Sequence, residues 1–173
     1  MALTASQVSR TQWKRSKKPA LDNDENITDA MIAKLLIASA LVATTVAIHA
    51  SGLGAGLSHA LRSIERLEAR FWPITWLLIR IAWWLIVLHL FEIAVWALFL
   101  WWQNCLPDIE SSLYFSGVTY TTVGYGDLVL PKEWRLFGPL EALTGILMCG
   151  LSVGFFFAII SRIHAPSTKA GEA

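Results

Sequence analysis

A seven-residue segment between two long apolar stretches, Thr121–Asp127, reads TTVGYGD and has the residues to coordinate a dehydrated cation. Its glycines, Gly124 and Gly126, reach positive φ at little steric cost, so the backbone can alternate in hand. Such a backbone can turn successive carbonyl oxygens the same way, and these oxygens can replace water around a cation without adding net charge. The hydroxyl of Thr122 offers one further oxygen. The alternative is a glycine-rich turn in a soluble loop, but the apolar flanks favour a segment that lines a cavity at membrane depth.

Two ionisable residues in the preceding apolar stretch, His89 and Glu92, form a second candidate site. A spacing of three places them on one face of a helix. Because a charge in mid-bilayer is costly, we expect them to face protein and each other. Two interpretations stay open: a structural pair that ties the helix to its neighbours, or a pH-sensitive element, since histidine titrates near neutral pH.

The composition indicates an integral membrane protein. Hydrophobic residues make up 55% of the 173-residue chain, and its mean hydropathy is +0.51. The chain has nine tryptophans, and tryptophan favours membrane interfaces. A net charge of only +1 gives no reason to expect a nucleic acid partner. Cys105 and Cys149 show neither metal-ligand spacing nor a disulfide framework. No nucleophile or cofactor-binding loop accompanies His49, His89 and Glu92, so we expect neither an enzyme nor a bound cofactor.

The apolar pattern predicts an all-α membrane protein with three transmembrane helices. The first covers residues 31–57 and follows a polar tail over residues 1–30, which we expect to be disordered. Opposite charges at spacings of three and four predict an amphipathic, polar surface helix over residues 58–72. A short tail over residues 164–173 ends the chain.

The other two transmembrane helices enclose a segment that is too short to span. The outer helix is predicted over residues 73–102 and the inner helix over residues 136–163. Residues 81–102 alone would extend about 33 Å, enough to cross a bilayer. Between the two, residues 109–121 predict a helix that enters the membrane and turns back.

This arrangement over residues 73–163 resembles the two-helix pore module of potassium channels, and Thr122–Gly126 match the selectivity filter of that family. The resemblance implies that residues 109–121 are a pore helix beside a filter loop. It also implies that four chains form a homotetrameric pore in the lipid bilayer. The K⁺ ions that pass through would bind at Thr122, Val123, Gly124 and Tyr125, with Gly126 completing the filter.

The resemblance extends to residues beside the filter. Tyr114, Phe115, Thr121 and Asp127 match positions that support the filter in the family. One departure concerns Val118, which stands where some members place a glutamate that interacts with the aspartate after the filter. That pairing is absent here, so the inactivation behaviour of those members does not carry over.

The inner helix is expected to line the inner cavity of the pore. Gly145 matches a position where many family members carry a glycine hinge. Spacings of three and four place four further residues on one stripe beside it: Ile146, Cys149, Val153 and Phe157. The alternative is that this stripe belongs to the packed core.

In the family the re-entrant loop enters from outside, so three spans put the N-terminus outside and the C-terminus in the cytoplasm. Arg62, Arg66, Arg70 and Arg80 then lie on the cytoplasmic side, which agrees with the positive-inside rule. If the first apolar stretch does not cross, the N-terminal tail is cytoplasmic instead. The resemblance implies a small channel of prokaryotic type in a bacterial inner membrane.

We therefore expect a potassium-selective channel that conducts K⁺ passively. We expect no voltage sensor, because no segment carries Arg or Lys at every third position, and no cytoplasmic ligand domain, because little chain follows Ile163. Three alternatives stay open: a subunit of a potassium uptake transporter, a weakly selective cation channel, and a membrane enzyme or receptor built on His49, His89 and Glu92.

Overall fold

The protein is helical throughout its ordered elements. The structure, a computed structural model, describes residues 5–64 and 71–164, with side chains over residues 28–64 and 72–163. Over this part the elements are, in chain order, α1 (Ala5–Ile64), α2 (Phe71–Trp102), α3 (Ile109–Tyr120) and α4 (Phe137–His164). The prediction of an all-α fold is confirmed.

Three of the described helices are long and apolar enough to cross a membrane, over Thr28–Ile64, Trp72–Trp102 and Phe137–Ile163. The chain is therefore an integral membrane protein. The 12 residues of α3 rise only about 18 Å, too little to span a bilayer. α3 lies between the last two spans in the chain and packs against both α2 and α4.

The N-terminal residues differ from the sequence prediction. A disordered tail was predicted over residues 1–30, whereas helix α1 begins at Ala5. The polar composition of this segment does not oppose a helix, because Ala, Gln, Lys and Arg all have high helix propensity. The predicted tail over residues 164–173 lies outside the described residues, apart from its first residue, which ends α4.

The chain divides into two compact units, Met1–Ala40 and Leu41–Ala173, and α1 has residues in both. In the first unit, apolar side chains such as Met31 and Leu36 are exposed, as expected of a surface that faces lipid. There the hydroxyl of Ser39 donates to the Leu35 carbonyl at 2.8 Å, which satisfies it within its own helix. The second unit holds α2, α3 and α4, with the last part of α1.

The surface helix predicted over residues 58–72 is not a separate element in the structure. Residues 58–64 continue α1, and residues 65–70 lie outside the described part. Two glycines near the end of α1 lie against α2. A Cβ at Gly52 would come within 2.7 Å of Leu88, and one at Gly56 within 3.2 Å of Trp84. These two glycines let α2 approach α1 closely, as small residues do between membrane helices.

An apolar cluster holds the ends of three helices together. Its buried members are Ala60 of α1, Ile159 of α4 and three residues of α2, namely Leu77, Ile81 and Leu85. Further along, the indole of the buried Trp96 donates to the Thr45 hydroxyl at 3.1 Å. These two buried polar groups are tolerated because each is the other's partner.

The connection from α2 to α3 fixes where α3 begins. Asp108 is the N-cap of α3, and its carboxylate accepts from the Ser111 amide at 2.7 Å and the Ser111 hydroxyl at 3.0 Å. These bonds satisfy N–H groups that have no partner in the first turn of a helix. The hydrogen bonds from Ser111 lower the pKa of the Asp108 carboxyl below its ordinary value, so the cap stays ionised in mild acid.

Candidate ion-conduction site

The predicted filter, Thr122–Gly126, follows directly after the C-cap of α3. Thr121 is the C-cap of α3, and its hydroxyl donates to the Gly117 carbonyl at 2.6 Å. The amide of Thr122 then donates to the Thr119 carbonyl at 2.9 Å, and that of Gly124 to the Val118 carbonyl at 3.0 Å. The filter is thus attached to α3 through its N–H groups. Within the described chain, none of the carbonyls of residues 122–125 accepts a backbone hydrogen bond.

The filter backbone alternates in hand along its length. Thr122, Gly124 and Gly126 have φ values of 64°, 52° and 76°, whereas Val123 and Tyr125 between them have negative φ. Two of the three left-handed positions are glycines, for which this conformation costs little. Thr122 adopts it despite being β-branched, which is uncommon and requires support from the surroundings. The alternation is the backbone geometry expected from the sequence for carbonyls that turn the same way.

Asp127, directly after the filter, is tied to α3 by one hydrogen bond. The Tyr114 hydroxyl donates to its carboxylate at 2.7 Å. This bond lowers the pKa of Asp127 and raises the pKa of Tyr114, because it stabilises the ionised carboxylate and the neutral phenol. Phe115 is buried against the start of α4 near Gly138. The predicted filter is therefore held at its C-terminal end by Tyr114.

Gly145 lies at a point of very close contact between α4 and α3. A Cβ at Gly145 would overlap the backbone carbonyl of Tyr120, the last residue of α3. The sequence interpretation assigned this glycine to a hinge. The structure shows a second physical reason for a glycine at this position. Only a residue without a side chain lets α4 contact the backbone of Tyr120.

The stripe predicted to line the inner cavity lies on the open side of α4. Ile146, Cys149, Val153 and Phe157 are exposed in the single chain, while Met148 is buried against the rest of the molecule. At 3.6 residues per turn the stripe lies roughly opposite Met148. It is therefore largely uncovered by its own chain and available to a pore or to a neighbouring subunit.

The predicted pair His89 and Glu92 is part of a larger buried cluster. His89 Nδ1 lies 3.4 Å from Glu92 Oε2, while His49 Nδ1 of α1 lies nearer, 2.8 Å from Oε1. The hydroxyl of Tyr120 donates to Oε2 of the same carboxylate. Ser152 of α4 lies 3.0 Å from His89 Nε2 and 3.4 Å from His49 Nε2.

Three members of this cluster were not predicted as site residues. The sequence predicted a pair of His89 and Glu92, and it grouped His49 with them only for the alternative of an enzyme or receptor. His49 carried a usable signal, because it is the one ionisable residue between Leu35 and Leu57 and intramembrane ionisable residues seek partners. Tyr120 and Ser152 carried none, because a Tyr and a Ser in apolar helices are common without such a role.

Known proteins match this part of the chain. The profile of a family described as "Ion channel" matches residues 83–162. The A-type voltage-gated potassium channel KCND3 of Rattus norvegicus, of Oryctolagus cuniculus and of Homo sapiens is 36% identical over 67 residues. That match covers 38% of this chain and 10% of each relative, so the matched region is about a tenth of the relatives' length. No solved structure matches the chain significantly.

The family match falls on the segments that build the site. Residues 83–162 contain all of α3 and the filter, together with most of α2 and α4. The sequence resemblance, the profile match and the helical arrangement therefore point to the same region. Over residues 83–162 the chain is similar to the ion-channel family, and a stretch of 67 residues is similar to voltage-gated potassium channels.

Proposed function

We propose that the chain is one subunit of a homotetrameric, potassium-selective channel that conducts K⁺ passively. The observation that carries this proposal is the alternating φ of Thr122–Gly126, with amides bonded to α3 and carbonyls left free. Carbonyl oxygens from this backbone replace the hydration shell of K⁺ as the ion passes. The oxygens of Thr122, Val123, Gly124 and Tyr125 are the proposed ligands.

The exposure of the filter supports assembly with further copies. In the single chain Val123 is 51% exposed and Tyr125 is 73% exposed, although we place both in a loop at membrane depth. One chain offers one strand of carbonyls, which can contact an ion from one side only. Irregular backbone at this depth is tolerated where protein surrounds it or where it lines a water-filled cavity. Four copies around a central axis meet both conditions.

We propose that the channel has no voltage sensor of its own, although the relatives named above are called voltage-gated. The segments that cross the membrane carry no series of Arg or Lys at every third position, and α2 has Arg80 alone. Without such a series, few gating charges can move in the membrane potential. We place the C-terminal end of α4 in the cytoplasm and the filter near the outer face.

A flux assay with glycine variants tests this function. Purified protein in liposomes should release K⁺ down a gradient and release Na⁺ far more slowly. Gly124→Ala forces a side chain into a left-handed conformation and should abolish K⁺ flux, while the mass of the assembly stays that of a tetramer. Gly54→Ala is the matched control, because Gly54 has open space around it and lies in helix α1.

Wild-type flux and selectivity in Gly124→Ala would remove the filter from the conduction path. Equal K⁺ and Na⁺ flux through the wild-type protein would favour the weakly selective channel instead. An assembly mass other than four chains would contradict the proposed stoichiometry.

A further inference from the structure

The buried cluster beside the filter forms a closed ring of five hydrogen-bonding contacts. Going round the ring, Glu92 contacts His49 at 2.8 Å, His49 contacts Ser152 at 3.4 Å, and Ser152 contacts His89 at 3.0 Å. His89 contacts the Tyr120 hydroxyl at 3.1 Å, and Tyr120 returns to Glu92. All four helices contribute, and Tyr120 lies two positions before the filter.

Counting the hydrogens that these five contacts require indicates the protonation state of the ring. The 3.4 Å contact between His89 Nδ1 and Glu92 Oε2 uses the same nitrogen as the contact with Tyr120 and is not counted again. A hydrogen bond needs one hydrogen, so a ring with five contacts needs five. An ionised Glu92 supplies none, while neutral His49, neutral His89, Ser152 and Tyr120 supply one each, which gives four. One contact is then left between two acceptors. A single additional proton completes the ring.

The count does not depend on where the additional proton resides. The proton can sit on either imidazole with Glu92 ionised, or on Glu92 with both imidazoles neutral. In every arrangement the ring has net charge zero. Without the proton its net charge is −1 and one nitrogen lacks a donor, and both are costly for groups as buried as His49 and Glu92. A second additional proton would give a buried charge of +1.

A metal ion fits this cluster less well than a proton. His49, His89 and Glu92 each bring one candidate ligand atom within 4.8 Å of the others. However, His49 Nδ1 and Glu92 Oε1 are only 2.8 Å apart. Two ligands on a tetrahedral zinc ion with bonds of about 2.0–2.1 Å stand roughly 3.3 Å apart. The pair is therefore spaced as a direct hydrogen bond.

Other titratable groups face the ring from α4. Cys149 acts electrostatically on both Glu92 and Tyr120, and Glu141 acts on Tyr120. Neither donates a hydrogen bond to a ring member among the described residues. From α1 and α2 the facing titratable groups are the ring members His49, His89 and Glu92 themselves. The hydrogens of the ring therefore come from its five side chains alone.

We propose that His49, Ser152, His89, Tyr120 and Glu92 form a binding site for one proton, which they share around the ring. With the proton bound, side chains of α1, α2 and α4 are linked to Tyr120 at the end of α3. Without it, one link of the ring is lost. As far as this site controls conduction, the inference rests on the proposed channel function. We expect K⁺ flux to fall as pH rises and the ring loses its proton.

Nuclear magnetic resonance of the full chain in lipid nanodiscs tests the proton count without using conduction. The protein carries ¹⁵N-labelled histidine and ¹³C-labelled glutamate, with His59→Gln and His164→Gln in the background so that only His49 and His89 are observed. Near neutral pH we expect one proton in total. That means one imidazolium with an ionised Glu92, or two neutral imidazoles with a protonated Glu92. Two neutral imidazoles beside an ionised Glu92, or two imidazolium rings, would overturn the proposal.

The variant Ser152→Ala tests directly whether the Ser152 hydroxyl takes part in proton binding. Removing the hydroxyl deletes two contacts, and the remaining three need three hydrogens, which His49, His89 and Tyr120 already supply. The variant should therefore bind the additional proton at least about tenfold more weakly, and its titration midpoint should move to lower pH. Ser152→Thr keeps the hydroxyl and should titrate as the wild type does. The matched control is Ser51→Ala, because the exposed Ser51 hydroxyl bonds only to the Ala47 carbonyl of its own helix.

Titration of Ser152→Ala at the wild-type midpoint would show that the hydroxyl is not part of a proton site and would overturn the proposal.

K⁺ flux of the same proteins in liposomes tests the control of conduction. We expect its pH midpoint to follow the midpoint of the spectra in wild type and in Ser152→Ala. Flux that is independent of pH while the ring titrates would overturn the control of conduction. Absence of flux at every pH would instead count against the channel function and leave the proton site standing.

Discussion

Asp127 is the acidic residue directly after the filter, and its ionisation depends on Tyr114. Because the hydrogen bond from Tyr114 lowers the pKa of Asp127 below its ordinary 3.8, the bond stabilises the folded filter where the carboxylate is ionised. This contribution is present above the ordinary pKa and is lost as pH falls through the lowered one. Val118 has no carboxylate that could interact with Asp127. The side chain that donates to Asp127 is therefore Tyr114.

Tyr114→Phe should therefore make the outer end of the filter less stable at neutral pH. We expect reduced K⁺ flux relative to wild type at pH 7, with the difference shrinking as acid protonates Asp127 in both proteins. Flux measured between pH 7 and pH 3 on the outer side checks this. Asp127→Asn in the Tyr114→Phe background serves as the second arm of a double-mutant cycle. A Tyr114→Phe deficit that grows on acidification would contradict the assigned role.

Glycines in the helices fall into two classes that the sequence does not distinguish. Gly145 and Gly52 mark close contacts, against the Tyr120 backbone and the buried Leu88 side chain, whereas Gly54 has open space around it. A methyl group at Gly145 requires backbone to move. One at Gly52 requires only a side chain to move, although that side chain is buried.

Alanine at these three positions should therefore have different effects on stability. We expect Gly145→Ala to destabilise by about 3 kcal/mol and Gly52→Ala by about 1–3 kcal/mol, as overpacked sites do. Gly54→Ala should stabilise by up to about 1 kcal/mol, because alanine is the better helix former. Thermal unfolding of the three variants in one detergent checks the order. Equal midpoints for Gly145→Ala and Gly54→Ala would show that α4 does not touch the end of α3.

The elements that carry apolar runs were predictable, and the contacts between them were not. Hydrophobic length alone located α2 and α4, and the short segment between them located α3, to within a few residues. Residues 58–64 were misassigned because charge spacing describes one helix face and cannot show whether a helix has already begun. The link from Glu92 to His49 is a contact between residues 43 positions apart, which periodicity within one helix cannot show. Only the packed arrangement brings Tyr120 to the same carboxylate and Ser152 to the two imidazoles.

The assembled molecule should expose one cysteine to the pore and protect the other. Cys149 lies on the open stripe of α4, while Cys105 is buried after α2. If this stripe lines the inner cavity, a charged thiol reagent on the cytoplasmic side should modify Cys149 and block K⁺ current. Cys149→Ser should abolish the block, and Cys105→Ser should leave it unchanged. A block that persists in Cys149→Ser would place the stripe away from the cavity.

Selective passage of K⁺ through the carbonyls of residues 122–125 is the claim on which the proposed function depends. The reversal potential of the purified channel in a planar bilayer, with K⁺ on one side and Na⁺ on the other, measures it directly. We expect the current to reverse far from zero, in the direction set by K⁺, and Gly124→Ala to give no such current. A reversal potential near zero in the wild-type protein would contradict a potassium-selective filter.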